Sequence, residues 1–139
     1  MNIGTTTYFI ISAFRGNNLK ADVVYTNELE DVLKDRNEAY KRAEGRYNGI
    51  MKEVFIVEAP SHLSSNYKSR DLAKSTLLEL AEVFEQDHIM EIDVNNNLLY
   101  LHYTVDGNQE YIGKVRTQEQ EPQGDYTRIR NSYITLLDS

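Results

Sequence analysis

The 139-residue chain has no cysteine and no tryptophan, and it carries neither an apolar run long enough to span a bilayer nor a block of basic residues. Each absence closes a class. Without cysteine there is no disulfide framework, no thiolate nucleophile and no cysteine zinc site, and a reducing compartment suits the chain. The N-terminal stretch MNIGTTTYFIISAF has no basic leader and too little apolar length for a membrane helix, so a soluble, cytoplasmic protein is expected. Asp and Glu number 22 against 15 Lys and Arg, and the formal charge of −7 repels nucleic acid where no basic patch overrides it. Acids and bases are mixed in stretches such as KDRNEAYKRAE, as on a solvated helix face rather than on a nucleic-acid mimic.

Familiar catalytic signatures are missing too. No GxGxxG, P-loop or GxSxG pattern occurs, which removes the dinucleotide turn, the phosphate loop and the nucleophile elbow. His62, His88 and His102 lack metal-ligand spacing and read as structural or surface residues, so neither a metal nor another cofactor is expected.

What is present is organised around residues 7–18, TYFIISAFRGNN. Tyr8, Phe9, Ile10 and Ile11 suit a central strand buried on both faces. That strand delivers Ser12, Phe14 and Arg15 to a polar turn, where backbone N–H groups, an aromatic face and a guanidinium suit a small anionic or planar ligand; an ordinary turn fits the same residues. After a short apolar segment, Ala21 to Tyr25, the spacing of Leu29, Val32, Leu33, Tyr40 and Ala43 predicts a helix capped by Thr26 or Asn27 and stopped at Gly45. Residues 46–49 then form a second polar turn.

Lys52 to Ala59 alternates as a strand ended by Pro60, with Val54, Ile56 and Glu58 on one face. Glu58 is an acid at the tip of an apolar row: partial burial there raises a carboxyl pKa, unless the side chain simply reaches solvent. Residues 61–68 read as a polar loop, and Ser69 caps a second helix running to about Glu85, packed beside the first on one side of the sheet. Strands over 88–94 and 98–105 turn at Asn95 to Asn97, and Asp106 and Gly107 turn into a strand over 110–116. TQEQEPQGD, residues 117–125, reads as an exposed loop, and the tail with Tyr133, Ile134, Leu136 and Leu137 as a segment that docks on its own core or on a neighbouring subunit. The expected fold is α+β: a two-layer α/β sandwich, ferredoxin-like, with two helices on one face of an antiparallel or mixed sheet. One domain, 1–139, has its core at about 5–116.

The run YFIISAFRGN, then GRYNG, then VEA, then EVFEQD resembles the S-adenosylmethionine-degrading enzymes of short-tailed bacteriophages, described as hydrolases and, on a revised mechanism, as lyases. The likeness spans roughly Tyr8 to Tyr103, with a shortened region after Glu58. It implies a homotrimer with substrate pockets between subunits, a catalytic pair Tyr47 and Glu58, a further site carboxylate at Glu85, and a pocket loop of Ser12, Ala13, Phe14, Arg15 and Asn17. It further implies S-adenosylmethionine as the small-molecule substrate, cleavage to 5′-methylthioadenosine and L-homoserine lactone, and an anti-restriction role. Hydrolysis direct to homoserine is the nearest rival, and a non-catalytic phage protein that binds a host defence enzyme is the rival from another class.

Overall fold

Asn48 and Gly49 set the architecture. Both take positive φ, 52° and 78°, the requirement of a two-residue hairpin turn whose twist matches its flanking strands. They join β2 (Tyr40–Tyr47) to β3 (Ile50–Pro60) in unbroken antiparallel register from Tyr40 opposite Val57 to Tyr47 opposite Ile50. The computed structural model describes residues 6–16, 18–36, 38–60 and 67–137. Its remaining elements are β1 (Thr6–Ile11), α1 (Leu19–Asp35), α2 (Tyr67–Val83), β4 (His88–Asp93), β5 (Leu98–Tyr103), β6 (Gln109–Gln118), β7 (Tyr126–Ile129) and β8 (Ser132–Leu136). No helix among the described residues is long and apolar enough to cross a membrane.

The eight strands close into one antiparallel barrel in the order β1, β3, β2, β7, β8, β6, β5, β4. The expected two-layer, ferredoxin-like sandwich is therefore wrong. Two segments account for the difference. Tyr40 to Tyr47 is strand rather than the second half of a helix, and the supposed tail is the hairpin of β7 and β8, which pairs with β2 on one side and β6 on the other.

The first helix is displaced for a local reason. Asn18 Oδ1 accepts from Ala21 N at 3.2 Å and starts α1 well before Thr26. Thr26 lies inside the helix, with its hydroxyl bonded back to Asp22 O at 2.7 Å.

Strand alternation divides the apolar residues into two cores. Phe9, Ile11, Phe55, Val57 and Ile89 point out of the barrel and pack against Leu29 and Leu33 of α1 and Leu77, Leu80 and Ala81 of α2. Ile10, Val54, Ile56, Ile92, Val115 and Ile134 point into the lumen. Both helices thus cover one side of the sheet, as expected, but that sheet curls round to enclose a second core.

The start of α2 is fastened to the barrel by a buried polar cluster. The Glu91 carboxylate accepts from Arg70 Nη2 at 2.6 Å, Thr7 Oγ1 at 3.0 Å and His102 Nε2 at 2.7 Å. Burial by itself pushes the Glu91 carboxyl up, and the hydrogen bonds from His102 and Arg70 outweigh it and hold it down at about 2.

Candidate active site

At one mouth of the barrel the ends of β1, β2 and β8 meet the starts of β3, β4 and β7 around a cavity of about 390 Å³. Its inner wall is apolar, with Ile10, Val54, Met90, Ile92, Leu99 and Ile134, while Ser12, Tyr47, Lys52, Gln86, His88 and Asp125 bring polar groups to it. A mostly apolar hollow of this size with a few convergent polar groups is the usual form of a small-molecule site, about 300–1,000 Å³.

Tyr47 is the last residue of β2, and its hydroxyl lies 2.6 Å from Thr127 Oγ1 on the neighbouring strand β7. Burial pushes its phenol up to about 12, only partly offset by the Thr127 hydrogen bond, so the group stays protonated across the physiological range. Burial, with Lys52 nearby, lowers the His88 pKa against the opposing pull of Asp87 and favours the neutral ring.

The loop after β1 is held from behind. Ser12 Oγ accepts from Phe14 N at 3.0 Å, and Asp22, buried in the first turn of α1, accepts from Arg15 N at 2.8 Å and Gly16 N at 3.2 Å. These amides are thus committed to the protein itself, contrary to the expectation that they are open to a ligand anion. Arg15 lies 3.9 Å over the Tyr25 ring, and its Nη1 meets Glu85 Oε2 at 2.6 Å.

Glu85 follows α2 with φ of 58°, a left-handed conformation that side chains adopt at a cost. The bonds Glu85 N to Glu82 O and Gln86 N to Ala81 O close the helix around it. Next to it, Gln86 Nε2 donates to Phe14 O at 2.9 Å. Phe14 and Gln86, 72 residues apart in the chain, thus bring SAFRG and EQD together at the edge of the cavity, whose lining takes Ser12 from the first and Gln86 from the second.

Other predicted site residues lie elsewhere. Ala13 is fully buried in the helix-side core. Phe14 is half-buried beside the rim. Asn17, His62 and the loop over 61–66 fall outside the described residues. His102 is buried against Glu91.

Glu58 sits at the opposite mouth. It is the register partner of Tyr8 at the start of β1, and it faces Lys41 Nζ at 4.0 Å and Arg130 Nη2 at 3.8 Å, in a groove of about 480 Å³ also lined by Arg42, Ile56 and Arg128. At about 3.3 Å per strand residue, the eight steps from Ile50, opposite Tyr47, to Glu58 span roughly 26 Å. Tyr47 and Glu58 of one chain therefore do not meet around a single small molecule.

The sequence reading missed Thr127, Asp125, Lys52 and Gln86. Thr127 and Asp125 lie in or beside a hairpin that was available to be read: YTRI and SYITL flank a two-residue turn, Arg130 and Asn131. Lys52 and Gln86 carry no comparable mark. Among the described residues no group of three or more His, Asp or Glu side chains is placed to hold a metal ion.

None of the curated proteins matches the chain. The family model described as S-Adenosylmethionine lyase matches residues 9–136, a span that takes in the β7 and β8 hairpin as well as Ser12, Tyr47, Glu58 and Glu85. With nearly its whole length matched, the chain belongs to the S-adenosylmethionine lyase family, whose chemistry is the breakdown of S-adenosylmethionine.

Proposed function

We propose that the protein cleaves S-adenosylmethionine by internal lactonisation, giving 5′-methylthioadenosine and L-homoserine lactone. The observation that carries this reading is the convergence of Ser12 of SAFRG, Tyr47 of GRYNG and Gln86 of EQD on one cavity of about 390 Å³.

In the reaction an oxygen of the substrate's own carboxylate attacks the methylene carbon next to the sulfonium. The carbon–sulfur bond breaks, its electron pair goes to sulfur, and a neutral thioether leaves as the five-membered lactone closes. No proton has to be removed. Opposite charges cancel as the bond forms, so a cavity walled by Ile10, Met90, Ile92 and Leu99 favours the transition state over water. The walls also hold the methionine chain folded, with the attacking oxygen near the carbon.

Tyr47, protonated at physiological pH, contributes a neutral phenol and the face of its ring to the sulfonium rather than a base. Lys52 at the rim draws the carboxylate inward without meeting it deep in the lumen.

Glu58 enters this scheme from a neighbouring subunit. The protein assembles as a homotrimer in which the Glu58 end of one barrel faces the Tyr47 mouth of the next, and there the carboxylate holds the substrate's ammonium or ribose hydroxyls. Separation of the two residues by the length of β3 within a chain supports that arrangement. Removal of the methyl donor would deprive host restriction and modification enzymes of their cofactor, which is the anti-restriction role the reading implies for a phage protein in the host cytoplasm.

Incubation with S-adenosylmethionine in 18O-labelled water tests the chemistry. Lactone that appears first and unlabelled is the expected result. Label entering homoserine directly indicates hydrolysis and contradicts lactonisation, and untouched substrate indicates a protein that binds without turnover.

A further inference from the structure

Beyond its own hairpin with β3, the tyrosine turn is held by residues 121–127. Arg46 Nη2 donates to Gly124 O at 2.8 Å and to Pro122 O at 2.5 Å, and its guanidinium lies 4.9 Å from the Tyr126 ring centre. The main-chain N–H of Asn48 donates to Asp125 Oδ2 at 3.0 Å. Gly45 is the register partner of Thr127, whose hydroxyl meets the Tyr47 phenol. The Tyr47 ring folds back across Gly45, where a Cβ would stand 2.5 Å from ring carbons Cε2 and Cζ.

We propose that Thr127 is a positioning residue for S-adenosylmethionine cleavage: its hydroxyl, with Gly45 beneath the ring, fixes where the Tyr47 phenol stands in the lumen. The proposal rests on the reading of this lumen as the substrate site. Thr127 is 2 % exposed, so water does not compete for its hydroxyl. Its side chain is β-branched and sits on a strand paired on both sides, which restricts rotation about χ1 and leaves the oxygen one place to stand. The phenol has no other hydrogen-bond partner among the described residues, so loss of the threonine oxygen leaves a buried O–H unsatisfied and free to swing. A ring displaced by about 1 Å costs on the order of 100-fold in rate where geometry limits the reaction.

The test compares Thr127→Val, which keeps the shape and removes the oxygen, with Thr127→Ser, which keeps the oxygen. With S-adenosylmethionine as substrate, Thr127→Val should lower kcat by about tenfold to 100-fold while KM moves by less than about threefold, and Thr127→Ser should recover most of the loss. In a Tyr47→Phe background the valine change should add nothing, because the group it positions is gone. Ring 13C NMR of tyrosine-labelled protein gives a readout independent of turnover. The Tyr47 signal, assigned by its loss in Tyr47→Phe, should shift in Thr127→Val and return in Thr127→Ser.

An unmoved Tyr47 signal, or a full rate in Thr127→Val, overturns the proposal, as does an equal loss in the Tyr47→Phe background. Wild-type protein that leaves the substrate intact while the Tyr47 signal responds as expected overturns the reading of the lumen and not the geometry of the pair.

Discussion

Glu85 shows at a single residue a departure from what folding alone selects. A left-handed φ after a helix is normally glycine's position, and a side chain there costs about 1–2 kcal/mol. The residue that stands there pairs with Arg15 of the loop after β1. Glu85→Gly should therefore leave the protein as stable or up to about 1 kcal/mol more stable in urea denaturation, while S-adenosylmethionine turnover falls.

Glu91 makes the opposite case, a carboxylate that serves the fold. Its carboxyl titrates near 4.5 in the unfolded chain and at about 2 in the folded one. Stability from this group is complete above pH 4.5 and is lost as pH falls from there toward 2, an effect on the order of 3 kcal/mol. Urea denaturation at pH 7 and pH 3 should show the decline, and Glu91→Gln should flatten it. Arg70→Met leaves the Glu91 charge buried and short of its cation, and should cost about 3–5 kcal/mol by the same assay.

At the scale of elements, the hairpin of β2 and β3 depends on Gly49 at φ of 78°. Gly49→Val should lower stability by about 1–2 kcal/mol, read as a shift in the denaturation midpoint. This turn also marks the limit of what periodicity reveals. Tyr40 and Ala43 continue the helical spacing of Leu29 and Leu33, yet both are strand residues, because the register with β3 satisfies their backbone and helix spacing alone does not identify a helix. Alternation in Val54, Ile56 and Glu58 identified β3 correctly, and the turns at Asn95 to Asn97 and at Asp106 and Gly107 placed β4, β5 and β6.

The short strands β7 and β8 were missed for a different reason. Four and five residues long, they follow a loop rich in Gln, Glu and Gly and become strands only by pairing with β2 and β6. The SAFRG and EQD stretches drew notice through family likeness, although Gln86 itself did not, whereas the place of Thr127 beside Tyr47 depended on the closure of the β7 and β8 hairpin onto β2.

At the scale of the molecule, the barrel separates its two mouths. One holds Tyr47 above an apolar lumen; the other holds Glu58 among Lys41, Arg42, Arg128 and Arg130. In the proposed trimer each site takes its tyrosine from one subunit and its glutamate from the next, an arrangement that spans this separation. Glu58→Gln alone should then abolish turnover of S-adenosylmethionine and Tyr47→Phe alone should sharply reduce it to a measurable residual rate, each without loss of fold as read by circular dichroism.

Co-expression of those two impaired variants measures the central claim most directly. Every mixed trimer has one site of its three with both Tyr47 and Glu58 intact, and about three quarters of randomly assembled trimers are mixed, so S-adenosylmethionine cleavage should return to roughly a quarter of the wild-type rate. A mixture no more active than either parent would contradict the account.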